Sequence, residues 1–419
     1  MAPFHLLIKP TGAACNLACR YCFYLPKSAL YPSGTFRMSD EVLEAAVEQV
    51  LAAHPGPEVT IAWQGGEPTL MGLAFYQRAA AAIDRQRRPG QRVLQTMQTN
   101  GTLIDAEWAA FLSAHGILVG LSMDGPPALH DAYRLDRGGH PTAARVLRAW
   151  ELLSAAGADV NVLCAVHAAN VREPLAVYRY FRELGARYLQ FIPIVEPTRA
   201  PGAGPHTVSA RSVRPGQYGR FLAALFDAWV ARDIGTVFVQ AFDAALASWL
   251  GQPSLCIFSP SCGRAPVLEH NGDVYACDHF VAPTHRLGNI LTDSLATLLE
   301  SPALRAFGDA KERALPPGCQ VCPVLFACRG ECPRNRFIAA GNGAPDGNYL
   351  CRDYRHFFSH IAPVMDTMAE LVLRGGDPRA VMPRAAAAAD QLAARLAAAA
   401  RNDPCPCGSG LKTKSCHGK

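Results

Sequence analysis

An α/β fold with a parallel sheet is predicted by two features of this 419-residue sequence. Short runs rich in β-forming residues recur six times in the first half of the chain, and an amphipathic stretch follows each of them. Strand–helix alternation repeated six times implies parallel strands joined by helical crossovers. The sheet is then a curled partial barrel or a doubly wound open sheet, and in either form the residues just after the strands line the site.

The strands are read at 5–9 (HLLIK), 59–63 (VTIAW), 93–98 (VLQTMQ), 117–123 (ILVGLSM), 159–166 (DVNVLCAV) and 188–195 (YLQFIPIV). The helices between them are read at 40–53, 73–86, 105–115, 142–156 and 173–184. A Pro/Gly-rich loop covers 197–216, and a helix is expected over 217–232. From 256 to 351 the character changes, with eight cysteines, many turns and little periodicity, as in a unit built around metal. Helices are expected at 361–374 and 384–401. The second is nearly all alanine and reads equally as a loosely packed spacer or as a helix docked on the cysteine-rich unit. The division expected is 1–235, 236–365, 366–402 as a helical linker, and 403–419 as a separate tail.

Half the residues are hydrophobic and 18% are charged, enough for a sizeable core. A net charge of +5 is a weak basic excess, and only six of the 40 cations are lysine, three of them in the last eight residues. No nucleic-acid footprint is present. Residues 1–12 lack the marks of a signal peptide, and no apolar run reaches the ~18 residues of a membrane span. A cytoplasmic chain is expected, and fifteen cysteines in that compartment argue for metal over disulfides.

Cys15, Cys19 and Cys22 follow the first strand with no fourth ligand-type residue close behind. Three thiolates leave a metal centre with an open position, where a substrate or cofactor binds. The alternative is a zinc site completed by a distant residue. The C-x3-C-x2-C spacing, with aromatic Tyr21 before the last cysteine, resembles the signature of the radical S-adenosylmethionine superfamily. That resemblance implies a partial (β/α)6 TIM-like barrel and a 4Fe–4S cluster. The amino and carboxylate groups of S-adenosylmethionine would fill the vacant iron. Gly65, Gly66 and Glu67 of the GGEP stretch fall where the superfamily contacts the methionine amino group, and Ser122, Arg134 and Val195 fall at further cofactor positions. Outside the resemblance these residues read as a turn, a turn serine, a surface arginine and a core valine.

Cys262-x9-Gly272-x4-Cys277, then Cys319-x2-Cys322-x5-Cys328-x3-Cys332 and finally Cys351, resemble the SPASM domain, an auxiliary iron–sulfur domain. Cys256 brings the thiolates to eight, the number two complete cubanes need. The resemblance implies one cluster on Cys256, Cys262, Cys277 and Cys332, and another on Cys319, Cys322, Cys328 and Cys351. Zinc knuckles are the alternative. Cys164, inside a strand, reads as an inert core residue.

The stretches PTGAACNLACRYCFY, WQGGEPTLMG, QTNGTLI, SMDGP and ACDHFV together resemble anaerobic sulfatase-maturating enzymes over residues 3–365. That family oxidises one cysteine or serine of a sulfatase, in a C/S-x-P-x-R context, to Cα-formylglycine. The resemblance implies hydrogen abstraction from the target Cβ by a radical derived from S-adenosylmethionine. It also implies a sulfatase polypeptide as substrate and a flavodoxin- or ferredoxin-type electron donor. Asp278 falls on the family's proposed general base, and Tyr24 and Gln64 are candidates to hold the substrate side chain.

In the tail, Cys405, Cys407, Cys416 and His417 can complete a tetrahedral zinc site. The stretch resembles the zinc-binding tail of the bacterial preprotein translocase motor, which docks a partner protein. It is not required by the sulfatase-maturase pattern. Two other functions compete: a radical maturase forming thioethers or crosslinks on another ribosomal peptide, and a non-catalytic iron–sulfur or zinc adaptor. The first often has a leader-binding domain ahead of the barrel, for which a first strand near residue 5 leaves no room.

Overall fold

The computed structural model describes residues 3–32, 34–198, 207–252, 255–338, 347–407 and 412–416. Six parallel strands form the barrel wall: β1 (His5–Lys9), β2 (Glu58–Trp63), β3 (Arg92–Thr99), β4 (Leu118–Ser122), β5 (Val160–Val166) and β6 (Tyr188–Pro193). The connecting helices are α1 (Asp40–Ala53), α2 (Leu73–Gln86), α3 (Ala106–Ala114), the single turn α4 (Pro127–His130), α5 (Ala143–Ala155) and α6 (Pro174–Glu183). Each helix turns an apolar stripe to the sheet, as Val42, Leu43, Ala46, Val47, Val50 and Leu51 do in α1. The start of α1 is fixed by Ser39, whose side chain accepts from the Val42 amide. Leu6, Ile8, Val59, Ile61 and Trp63 are buried beneath this layer, and each fully buried side chain contributes roughly 1.5–3 kcal/mol.

After α7 (Gln217–Arg232), the two-residue β7 (Phe238–Val239) pairs with β6, and α8 (Gln240–Trp249) follows. The cysteine-rich region then continues the same sheet. Its strands β8 (Val267–Glu269), β9 (Asp273–Tyr275) and β10 (Arg286–Asn289) give the order β10-β9-β8-β1-β2-β3-β4-β5-β6-β7. β8 runs parallel to β1, with Lys9 opposite Glu269. Strands of three residues are too short to show a period, which is why the sequence reads this region as irregular. Gly272, the glycine of the C-x9-G-x4-C pattern, takes φ +89° in the β8–β9 turn, and a Cβ there would meet Asn289 Oδ1 at 2.8 Å.

The remaining elements are α9 (Leu295–Leu299), α10 (Pro302–Arg313), the turns α11 (Pro317–Gln320) and α12 (Leu325–Cys328), the ribbon β11 (Arg336–Ile338) and β12 (Gly347–Asn348), α13 (Cys351–Leu373) and α14 (Met382–Ala398). The helix read at 361–374 therefore begins ten residues earlier, at Cys351. Tyr354, Phe357, Phe358 and Ile361 carry its apolar stripe through the earlier turns, and packing holds the helix together across Pro363. The alanine-rich helix, read at 384–401, ends at Ala398 and packs along α7, with Met382 and Ala385 partly buried against the main core. Among the described residues, no helix is long and apolar enough to cross a membrane.

Candidate active site

The strand ends and the loops after them bring the chemistry together. The turn after β2 lies directly on the loop of the first three cysteines: Gly66 N donates to Gly12 O at 2.7 Å and Glu67 N to Ala14 O at 2.8 Å. A Cβ on Gly66 would stand 2.0 Å from Ala14 O, so only glycine allows this contact. Gly65 beside it sits at φ +136°. The Glu67 carboxylate is fully buried and turns inward. Its Oε1 accepts from Thr69 N, Thr69 Oγ1 and Thr99 Oγ1, and its Oε2 from Asn100 N at 2.7 Å. Glu67 thus ties the β2 turn to the end of β3, and what this turn presents to a ligand is backbone. Asn100 in turn donates to Asn16 Oδ1 at 2.8 Å and lies 3.7 Å from Cys15 Sγ.

Burial pushes the Cys15 thiol up to about 12 and that of Cys19 up to about 11. Cys19 and Cys22 raise Cys15 further, which places the three thiols in one neighbourhood. A buried thiol triple of this kind ionises when a cationic metal centre sits on it, so the donor set fits a cluster with one ligand short. Beside it, the fully buried Asp124 gathers four groups. Tyr21 donates its hydroxyl, Ala165 N donates at 2.9 Å, Arg134 Nε lies 3.0 Å away and His167 Nε2 3.5 Å away. Burial works against the Asp124 carboxylate, but Arg134 and His167 outweigh it and hold its pKa well below the usual carboxylate range. Arg134 also lies close enough to Cys19 to favour its thiolate. Ser122 accepts from Gln98 Nε2 at 3.0 Å, and Val195 is packed in the main core.

Across β1 lies a second polar centre. Lys9 Nζ donates to Gln64 Oε1 at 3.2 Å, stands 3.9 Å from Asp278 Oδ2 and sits 4.1 Å above the Tyr24 ring. Tyr24 donates its hydroxyl to Glu269, opposite Lys9 in the sheet. One lysine therefore joins the three residues singled out as base and substrate contacts. Burial raises the Asp278 carboxyl, yet His279, Lys9 and Arg334 together hold its pKa below the ordinary value. It is an ionised carboxylate at neutral pH. Arg334 bonds His279 Nδ1 at 2.9 Å and lies over Phe23, so the cysteine-rich unit clamps the first cysteine loop.

The eight later thiols fall into two neighbourhoods. Beyond the effect of burial, Cys262 raises the thiol of Cys256, Cys332 and Cys256 raise that of Cys277, and Cys256 and Cys262 raise that of Cys332; separately, Cys351 and Cys322 raise Cys319, Cys351 and Cys319 raise Cys328, and Cys322 raises Cys351. Cys328 and Cys332, four residues apart, belong to different sets because Arg329, Gly330 and Glu331 all take positive φ (49°, 70° and 54°) and reverse the chain between them. Lys311, fully buried, donates to Cys256 O and Ile257 O and places a cation beside the first set. Among the described residues no three His, Cys, Asp or Glu side chains close around one metal ion. Cys164 is fully buried in β5. In the tail, Cys405 and Cys407 hold their sulfurs 3.2 Å apart. His417 and the Cys416 side chain lie outside the described residues.

Lys9, Asn100, Asp124, His167 and Glu269 escape the sequence reading. Lys9, one of six lysines, stands at a strand end, and Asn100 and Asp124 lie inside QTNG and SMDGP. His167 and Glu269 carry no local signal.

Residues 10–181 match the radical SAM superfamily, 261–323 the SPASM iron–sulfur cluster-binding domain and 401–419 the SEC-C motif. The serine-type anaerobic sulfatase-maturating enzyme of Bacteroides thetaiotaomicron is 41% identical over 392 residues, 91% of this chain and 94% of that protein. The cysteine-type enzyme of Clostridium perfringens is 36% identical over 373 residues, 88% of this chain and 99% of that protein. The solved structure of native anSMEcpe with bound AdoMet and Kp18Cys peptide superimposes with a TM-score of 0.80 at 35% identity, covering 88% of this chain and 99% of that one. With those alignments covering about nine-tenths of the chain, the chain is an enzyme of the radical S-adenosylmethionine superfamily and belongs to its anaerobic sulfatase-maturating family.

Proposed function

We propose that this enzyme oxidises one cysteine or serine side chain of a sulfatase polypeptide to Cα-formylglycine, acting in the cytoplasm. In this reading Cys15, Cys19 and Cys22 hold a 4Fe–4S cluster beside S-adenosylmethionine, and the two later sets hold one cluster each. Bound there, the first cluster and the nucleotide supply hydrogen-atom abstraction from Cβ, chemistry no side chain provides. Asn100 and the Gly65–Gly66 turn position the cysteine loop, and Arg134, oriented by Asp124, would hold the carboxylate of the cofactor. Tyr21, Ser122 and Val195 complete the cofactor wall.

The observation that carries the reading is the junction at Lys9. It holds the Asp278 carboxylate and the Gln64 amide at one place, between the Cys15 loop and the set containing Cys277. Asp278 Oδ2 accepts the proton that the target thiol or hydroxyl gives up as its carbon is oxidised. Gln64 and Tyr24 orient the side chain. Clusters held by the neighbouring thiolate sets would supply a one-electron acceptor for the electron released, in exchange with a flavodoxin- or ferredoxin-type carrier. In the tail, Cys405, Cys407, Cys416 and His417 are read as a zinc site for a docking partner.

Anaerobic incubation with paired Cys- and Ser-containing sulfatase peptides tests the reading. Aldehyde formation should fall by about 10²–10⁴ in Asp278→Asn, while deoxyadenosine is still produced. About twelve irons per chain are expected for three cubanes. Undiminished aldehyde in the variant, or iron near zero, overturns the assignment.

A further inference from the structure

At the start of α13 a ligand-type cysteine reaches the surface. Cys351 is exposed and lines an open cleft of about 750 Å³ together with Arg352, Arg355 and His356. These follow Cys351 on the outer side of the helix, while Asp353 and Tyr354 turn inward. Two more cations reach the same place from the segment before α7 and from α7 itself. Arg214 lies against Tyr349, another residue of the cleft, and Arg220 lies beside Gly216 and raises the cost of protonating His356. Arg214, Arg220, Arg352 and Arg355 are all exposed, and among the described residues none forms an ion pair. Of the neighbouring carboxylates, Asp353 is fully buried and bonded to the Gly216 and Gly219 amides, and Asp227, which also faces His356, is paired with His360 Nε2 at 2.7 Å. Val321, 85% exposed between Cys319 and Cys322, adds an apolar contact at the same thiolate set.

We propose that the face formed by Arg214, Arg220, Arg352, Arg355 and His356 around Cys351 docks an acidic one-electron carrier protein. The inference rests on the proposed cluster at Cys319, Cys322, Cys328 and Cys351 and names the partner face of that cluster. Unpaired cations around an exposed redox ligand serve two needs. They steer an acidic partner to the place where an electron crosses, and they leave the encounter weak enough to release it. The transfer makes and breaks no bond: the cluster loses one electron and the carrier gains it, or the reverse. The sulfatase chain has its own reacting place at Asp278, on the other thiolate set.

The test uses the full-length, cluster-loaded enzyme and an acidic flavodoxin. Binding is measured anaerobically over a salt series, with iron content and dithionite-driven aldehyde formation recorded in parallel. The expected result is an affinity that falls steeply with salt, as screening of an exposed charged interface requires. Arg352→Glu/Arg355→Glu should weaken it at least tenfold and flatten the salt slope at unchanged iron content. Arg214→Glu/Arg220→Glu, from a different segment, should do the same and serves if the first pair loses iron. Unchanged flavodoxin affinity in both pairs overturns the proposal. So does weakened binding of a sulfatase polypeptide with flavodoxin binding intact, which would assign the face to the substrate. Loss of iron or of dithionite-driven aldehyde in the wild-type enzyme would instead sink the parent reading of the site.

Discussion

Asp278 and Lys9 sit 3.9 Å apart though far apart in sequence, one just after β9 and one at the end of β1, with β8 between these strands in the sheet. Lys9 helps hold the carboxylate ionised, and its ammonium lies over the Tyr24 ring. Lys9→Met should therefore lower the rate of aldehyde formation by about tenfold or more. S-adenosylmethionine affinity should stay near wild type, and equal losses of both would point to a collapsed barrel. At the same scale His130 is a neutral buried imidazole. Its Nδ1 accepts from Asp124 N at 3.3 Å, and Nε2 meets Thr142 Oγ1 at 3.0 Å. Burial holds its pKa down to about 4, against 6.5 for the unfolded chain. A depressed folded pKa contributes stability that is fully present above about 6.5 and is lost as pH falls toward 4, at most roughly 3 kcal/mol. The thermal midpoint of the enzyme should fall between pH 7.5 and 5.5, and less steeply in His130→Gln. Parallel slopes would remove His130 as the cause.

Among elements, the turn after β2 has the least freedom. Gly66→Ala drives a methyl group to within 2.0 Å of the Ala14 carbonyl, so either the turn or the cysteine loop must move. Overpacking of this kind costs about 1–3 kcal/mol, and here the displaced loop carries Cys15, Cys19 and Cys22. Iron reconstitution of the first site should fail, so that total iron drops by a third, from about twelve to about eight per chain, while the later sets load normally. The start of α7 shows a different dependence. Its N-cap, Gly216, offers no side chain, and Asp353 of α13 caps it through two amides at 2.8 Å each. No reading of residues 210–220 could supply that cap, because it comes from 137 residues away. By contrast, the Ser39 cap and the apolar stripe of α1 are legible in place, since both lie within one helical turn.

For the whole molecule, the cysteine-rich unit and the barrel share one sheet, and α14 lies along α7. The described start of the tail brings Cys407 near His360 of α13. Deleting 403–419 should leave turnover of a short sulfatase peptide unchanged and reduce turnover of the full-length sulfatase several-fold. Equal activity on both substrates would show that the tail docks nothing needed for maturation.

Local spacing alone determined the strand–helix order, the three-thiol loop with its vacant position, and the eight later thiols, because each is written within a few residues of chain. Only the tertiary structure decided which distant groups meet. It set β8 beside β1, so that Lys9, Glu269 and Asp278 share a site, and placed Arg134 and His167 on Asp124. It also parted Cys328 from Cys332 by a left-handed turn. These contacts join residues tens to hundreds of positions apart, and the charge and burial that set their chemistry exist only once the sheet has closed.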